Sequence, residues 1–141
     1  MQLNLHKLKG EYSILKLDSL PDVRAIDGFF ALTRTDDEIS LVCLNSEADK
    51  LNPYARENDY QVLRVAGQLD FSLVGILARM TGALAGAGIP VCAVSTYDTD
   101  YLLIRVCLKN SLIRNFGRRC AISASSILDL ALLSLRIYSL N

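Results

Sequence analysis

The chain has one histidine, no Cys-x-x-Cys pair, no surplus of charge and no long apolar run at its start. Each scarcity closes a class of function. His6, near an N-terminus expected to be mobile, gives no partner for a Ser–His or Cys–His nucleophile. His-Glu-x-x-His and a glycine-rich phosphate loop are also absent. Lys plus Arg equals Asp plus Glu at 15 each, so the balance points to neither nucleic acid nor an anionic membrane. Tyr12, Tyr54, Tyr60, Tyr97, Tyr101 and Tyr138 form no spaced platform for stacked bases. MQLNLHKLKG lacks the apolar core of a signal peptide, and a cytoplasmic location is expected. Of the four cysteines, Cys43, Cys92 and Cys107 lie in apolar runs and Cys120 stands apart. Buried free thiols fit that pattern better than disulfides or zinc. No enzyme activity, metal or cofactor is expected.

Apolar material is plentiful. Hydrophobic residues make up 51% of 141, enough for one compact unit or two very small modules sharing a core. The organising stretch is GQLDFSLVGILARMTGALAGAGIPVCAVSTYDTDYLLI, residues 67–104. Leu73, Ile76, Leu77, Met80 and Leu84 recur on one helical face, with Asp70 placed as N-cap and Gly88-x-Pro90 as a stop. The opposite face is Ser72, Gly75, Arg79, Gly82, Ala83 and Gly86. Small residues there predict a closely approaching backbone, ligand or loop, with solvent the least expected neighbour. Val91 to Tyr97 and Tyr101 to Val106, rich in β-branched and aromatic residues, then predict a hairpin around 98–100.

An internal repeat runs through the chain. Tyr12–Leu17 aligns with Tyr60–Val65 at an offset of 48, and Ala31–Asp36 with Ala93–Asp98 at 62. The difference, 62 minus 48, gives the second copy 14 extra residues between its first two strands, which is the long helix. In the first copy Leu20 to Asp27, with Pro21 near its start, leaves room for a short helical turn only. Glu38 to Leu44 predicts a strand, Ser46 to Leu51 a brief helix ended by Pro53, and Leu108 to Phe116 a second helix. The outcome is an α+β chain of two split β-α-β-β-α-β, ferredoxin-like modules in tandem, the first with a shortened crossover. The predicted boundaries are 1–58, 59–123 and a divergent tail at 124–141.

LDFSLVGIL and VSTYDTDYLLI in the second half, and TRTDDEISLVC in the first, resemble the modules of small tandem ACT-domain proteins, bacterial relatives of the CASTOR-type arginine sensor. The resemblance covers about residues 10 to 116. It implies a non-catalytic regulator, a homodimer with a regulated protein partner, that holds an amino acid or similar metabolite at a seam between modules or subunits. The implied ligand residues are Gly67, Gln68, Asp70, Phe71 and Ser72 at the loop into the helix, with Ser95, Thr96, Tyr97 and Asp98 on and after the following strand. The physics suits a zwitterion: free amides at a helix start take a carboxylate, and Asp70 or Asp98 takes an ammonium. Each residue also has a plainer role, Asp70 as a cap and Gly67 as a turn. Asp36, Asp37, Glu38, Asp98 and Asp100 fall on hairpin turns, where Asp serves local backbone bonds. The alternative is a protein–protein interaction module whose ligand site has decayed, and a metal-dependent enzyme using Asp98 and Asp100 ranks third. From Gly117 onward the resemblance fails. Cys120 to Ser123 is the candidate last strand, and Ser125-Ser126 the candidate cap of an apolar helix, either a tail that docks on a partner subunit or a replaced sequence packed opportunistically.

Overall fold

The computed structural model describes residues 4–66, 75–86 and 89–105. The chain divides into two units, Lys9–Gln61 and a second made of Met1–Leu8 with Val62–Asn141.

The N-terminal strand β1 (Asn4–Lys7) belongs to the second unit and is taken up there. In the Lys9–Gln61 unit, β2 (Tyr12–Leu17) is followed by a single 3-10 turn at Val23–Ala25, the short crossover expected beside Pro21. Asp22 caps that turn by accepting from the Arg24 amide at 3.1 Å. β3 (Ala31–Arg34) and β4 (Ile39–Leu44) form a hairpin, and the helix α1 (Asn45–Ala48) follows. The strand β5 (Ala55–Ala66) begins in this unit. The strand order is β3-β4-β2-β5, antiparallel throughout. Alternation along the strands places Leu15 and Leu17 of β2 with Leu41 and Cys43 of β4 on one face. Ala48 covers them, and Ile26, Phe30, Leu32, Ile39 and Leu51 pack around that cluster. Burial pushes the Cys43 thiol up to about 11, with the nearby Glu47 charge adding to it, so it is a neutral filler.

Two details fix the register here. Tyr12 faces Tyr60 while Ile14 faces Glu57, so β5 carries one extra residue opposite Ser13, a bulge with Asp59 at φ 70°. The buried Ser13 hydroxyl sits between the side-chain amides of Asn45 (2.5 Å) and Asn58 (2.9 Å) and satisfies the gap. At Gly28, φ is +74° and an added Cβ would stand 2.9 Å from Leu44 Cδ1.

Glu47 is buried at 5% exposure and accepts from Lys50 Nζ at 2.7 Å. That hydrogen bond, helped by an amide donated from Asp27, holds its carboxyl below the usual range. A lowered folded value means stability that is present above the unfolded value, about 4.3, and is lost as pH falls through the folded one. Glu47→Gln is therefore expected to melt below the wild type at pH 7. The gap should shrink steadily between pH 5 and pH 3 in paired thermal melts.

In the second unit, the later half of β5 pairs with β1 in the register Leu5↔Val65 and Lys7↔Leu63. The predicted mobile N-terminus is thus a strand, with His6 opposite Arg64. The helix α2 (Ile76–Gly86) and the hairpin β6 (Val91–Ser95) and β7 (Asp100–Arg105) complete the described part, in the order β6-β7-β5-β1. Met80 and Leu84 of α2 are buried against Leu63, Val65, Leu102, Ile104 and Ile89, with Leu5, Leu77 and Val91 around them. Leu77, Met80 and Leu84 lie on the face the sequence predicts, with Leu73 and the Ile76 side chain outside what is described. Val62 and Leu103, on the alternate face of their strands, are also buried, while Arg64, Cys92 and Arg105 on that face are exposed.

The helix differs from expectation at both its start and its polar side. Gly75 has φ +84°, and the Arg79 amide donates to its carbonyl at 3.0 Å, so Gly75 is the cap. Asp70, the cap the sequence predicts, lies outside the described residues. The far end closes as Ile89 N–H returns to the Leu84 carbonyl at 2.9 Å, both side chains buried together. The small-residue face is largely open: Arg79, Gly82 and Gly86 are exposed, Ala83 is half-buried, and a Cβ added at Gly82 or Gly86 meets nothing within 4 Å. Ser72 lies outside the described residues. Solvent is the neighbour in this chain, contrary to the sequence expectation. Gly82→Ala is therefore expected to stabilise by about 0.5–1 kcal/mol through helix propensity. A lowered urea midpoint would show instead that something covers that face.

Candidate functional site

The hairpins of the two units close alike. In the first, Thr35 N–H donates to the Glu38 carbonyl (2.9 Å) while the Thr35 hydroxyl accepts from the amides of Asp37 (3.2 Å) and Glu38 (3.1 Å). In the second, Thr96 N–H donates to the Thr99 carbonyl (2.8 Å), and the Thr96 hydroxyl donates to that carbonyl as well (2.9 Å). Matching Thr35 to Thr96 gives an offset of 61, one less than the sequence alignment gives, since Arg34 pairs with Ile39 and Ser95 with Asp100. A slip of one residue exchanges strand faces, and at 61 the buried Leu41 and Cys43 match the buried Leu102 and Ile104. Among the described residues, no group of three His, Cys, Asp or Glu side chains could hold a metal. In both turns a threonine hydroxyl, Thr35 or Thr96, makes the local side-chain bonds to backbone.

Four of the predicted ligand residues, Ser95, Thr96, Tyr97 and Asp98, sit together on the second turn and are exposed. Ser95 donates to the Asp100 carboxylate at 2.6 Å, which ties the last residue of β6 to the first of β7. The strand ends earlier than predicted because Thr96 turns its hydroxyl into the turn. Tyr97 stands out at 83% exposure, beside Asp98 at the tip. Gly67, Gln68, Asp70, Phe71 and Ser72 lie outside the described residues.

A residue the sequence does not single out ties the turn to β5. Thr99 is buried, and its hydroxyl donates to the Val65 carbonyl at 2.8 Å. Val65 is one residue from the end of β5, so the turn at 96–99 is fastened to the strand that leads into 67–72. The only sequence signal was a threonine between two aspartates, which turn propensity already explains. Cys92, on the last strand of the described order, is exposed, not buried as its apolar surroundings predict. Cys107 and Cys120 lie outside the described residues. No helix among the described residues is long and apolar enough to cross a membrane.

An ACT domain is found over residues 55–113, from β5 through α2 and the second hairpin. No curated protein matches the chain in sequence. Among solved structures, protein Atu0741 from Agobacterium tumefaciens is similar at 27% identity and a TM-score of 0.71, over 95% of this chain and 90% of that one. Protein VC0802 from Vibrio cholerae is similar at 17% identity and a TM-score of 0.64, over 98% and 91%. The regulatory subunit of aspartate kinase from Thermus thermophilus, in its ligand-free form, shares 11% identity and a TM-score of 0.57, over 97% and 98%. The last two likenesses are of fold. The mixed α/β architecture with its antiparallel sheet agrees with the ferredoxin-like class to which ACT domains belong.

Proposed function

We propose that this chain is a non-catalytic regulatory protein of two ACT-type modules in tandem, related to the CASTOR-type sensors. In this reading it binds an amino acid or similar metabolite in the cytoplasm. It acts as a homodimer, with the ligand altering its hold on a protein partner. The observation that carries the reading is the Thr99–Val65 hydrogen bond, which fastens the exposed turn 95–98 to the strand entering 67–72 within the stretch matched to the ACT domain. The like-folded regulatory subunit of aspartate kinase supports a regulatory role. Asp98 suits an α-ammonium, and Tyr97 offers an aromatic face to a side chain or a cation.

The test is calorimetry of wild type and Asp98→Ala with an amino-acid panel, alongside mass spectrometry of small molecules released from gently purified protein. The expected result is one saturable binder whose affinity falls at least tenfold in the variant. Equal affinity in Asp98→Ala removes the ammonium role, and an empty panel removes the reading. A second reading, an interaction module with a degenerate site, draws support from Ser95 and Thr96, whose hydroxyls already serve the hairpin.

A further inference from the structure

The second unit is discontinuous in sequence. The chain leaves it after Leu8 and returns at Val62, having built the whole Lys9–Gln61 unit in between. β1 is therefore held by strand pairing and by the packing of Leu5, with no hairpin or crossover joining it to another strand of its own unit. Its grip is small. β1 has four residues, of which Leu5 packs on the core cluster while His6 and Lys7 are exposed. The Leu8 amide adds a bond to the Val62 carbonyl at 2.9 Å.

By the alternation of an antiparallel ladder, that bond assigns the backbone groups of 62, 64 and 66 to the β1 side. The groups of 63 and 65 point the other way, which agrees with the Val65 carbonyl receiving the Thr99 hydroxyl. Release of β1 thus leaves the Thr99 anchor and the β6–β7 ladder intact. It uncovers a row of unpaired amides and carbonyls beside Leu63 and Val65, which are 2% and 0% exposed with β1 in place. Such an edge takes an extended strand with an apolar side chain opposite Val65.

We infer that β1 is a detachable strap, and that the edge of β5 at 62–66 is a strand-binding site whose occupant is the chain's own N-terminal segment. Edge strands with few buried contacts open locally before the sheet does. The candidate last strand, 120–123, lies outside the described residues; β1 pairs with 63–66.

Hydrogen exchange on the full chain tests this. In the wild type, the amides of 6, 8, 64 and 66 should exchange as one group, at least tenfold faster than those of Leu102 to Ile104. In full-length Leu5→Asp that group should accelerate at least tenfold further while the β7 amides keep their rates. A synthetic peptide of residues 1–9 should then restore protection at 64 and 66 saturably, and the same peptide carrying Leu5→Asp should not. Wild-type exchange of 6 and 8 no faster than β7 would overturn the inference. So would a Leu5→Asp chain whose 64 and 66 amides gain no protection from the native peptide, or gain it equally from the altered one. A Leu5→Asp chain that loses β7 protection as well would show that the strap is not separable, and overturns it too.

Discussion

Replacing Leu41 with alanine is expected to destabilise the Lys9–Gln61 unit by about 2–5 kcal/mol. Leu41 is fully buried in the centre of β4, between Ile39 and Cys43 on the face shared with Leu15 and Leu17. A unit of this size has one small core and little surplus stability, so a single lost leucine is a large fraction of the total. Urea unfolding should show a lower midpoint, and the exposed-site control Val23→Ala should move by no more than about 0.5 kcal/mol. A Leu41→Ala chain as stable as that control would mean the core lies elsewhere.

Gly28→Ala should cost about 1–3 kcal/mol, from left-handed strain plus the contact with Leu44. The two causes separate in a double-mutant cycle. Leu44→Ala removes the atom that stands 2.9 Å from the added Cβ, yet leaves φ at +74°. In that background Gly28→Ala should cost only about 1–2 kcal/mol, the strain alone. The pair should be less damaging together than the sum of the singles. Additivity would show that Leu44 already yields and that backbone strain is the whole effect.

Much of this fold was legible in residue order. Met80 and Leu84 recur at helical spacing, and both are buried. Pro21 limits the first crossover to one 3-10 turn, and Thr-Asp and Asp-Thr turns close hairpins between β-branched strands. Local pattern sufficed there because one face of each element is apolar. β1 was hidden for the opposite reason. Four residues with one core-facing leucine carry no periodicity, and their partner is some sixty positions away, Leu5 with Val65. The open side of α2 is not legible in sequence because small residues are compatible with either close packing or none. Gly75 reads as part of the helical stripe until its positive φ makes it the start. Cys92 lies in an apolar run, but apolar residues on an edge strand face outward as readily as inward.

The candidate site was legible only as far as its turn. The sequence places Ser95 to Asp98 together because they are neighbours in the chain. The buried hydroxyl of Thr99 on Val65 spans 34 positions and no local rule anticipates it. A Thr99→Val change keeps the shape and removes that bond, so it serves as a probe of whether the turn must be fastened for binding.

Thermal unfolding of the full chain against a panel of free amino acids is the most direct test of small-molecule binding at this site. A true ligand at 100 times its dissociation constant should stabilise the protein by about 2.7 kcal/mol, visible as a shift of several degrees that saturates with concentration. Asp98→Ala should weaken that shift. A well-folded chain whose melting is unmoved by every member of the panel, with no calorimetric heat, would contradict the amino-acid sensor and leave the interaction module standing.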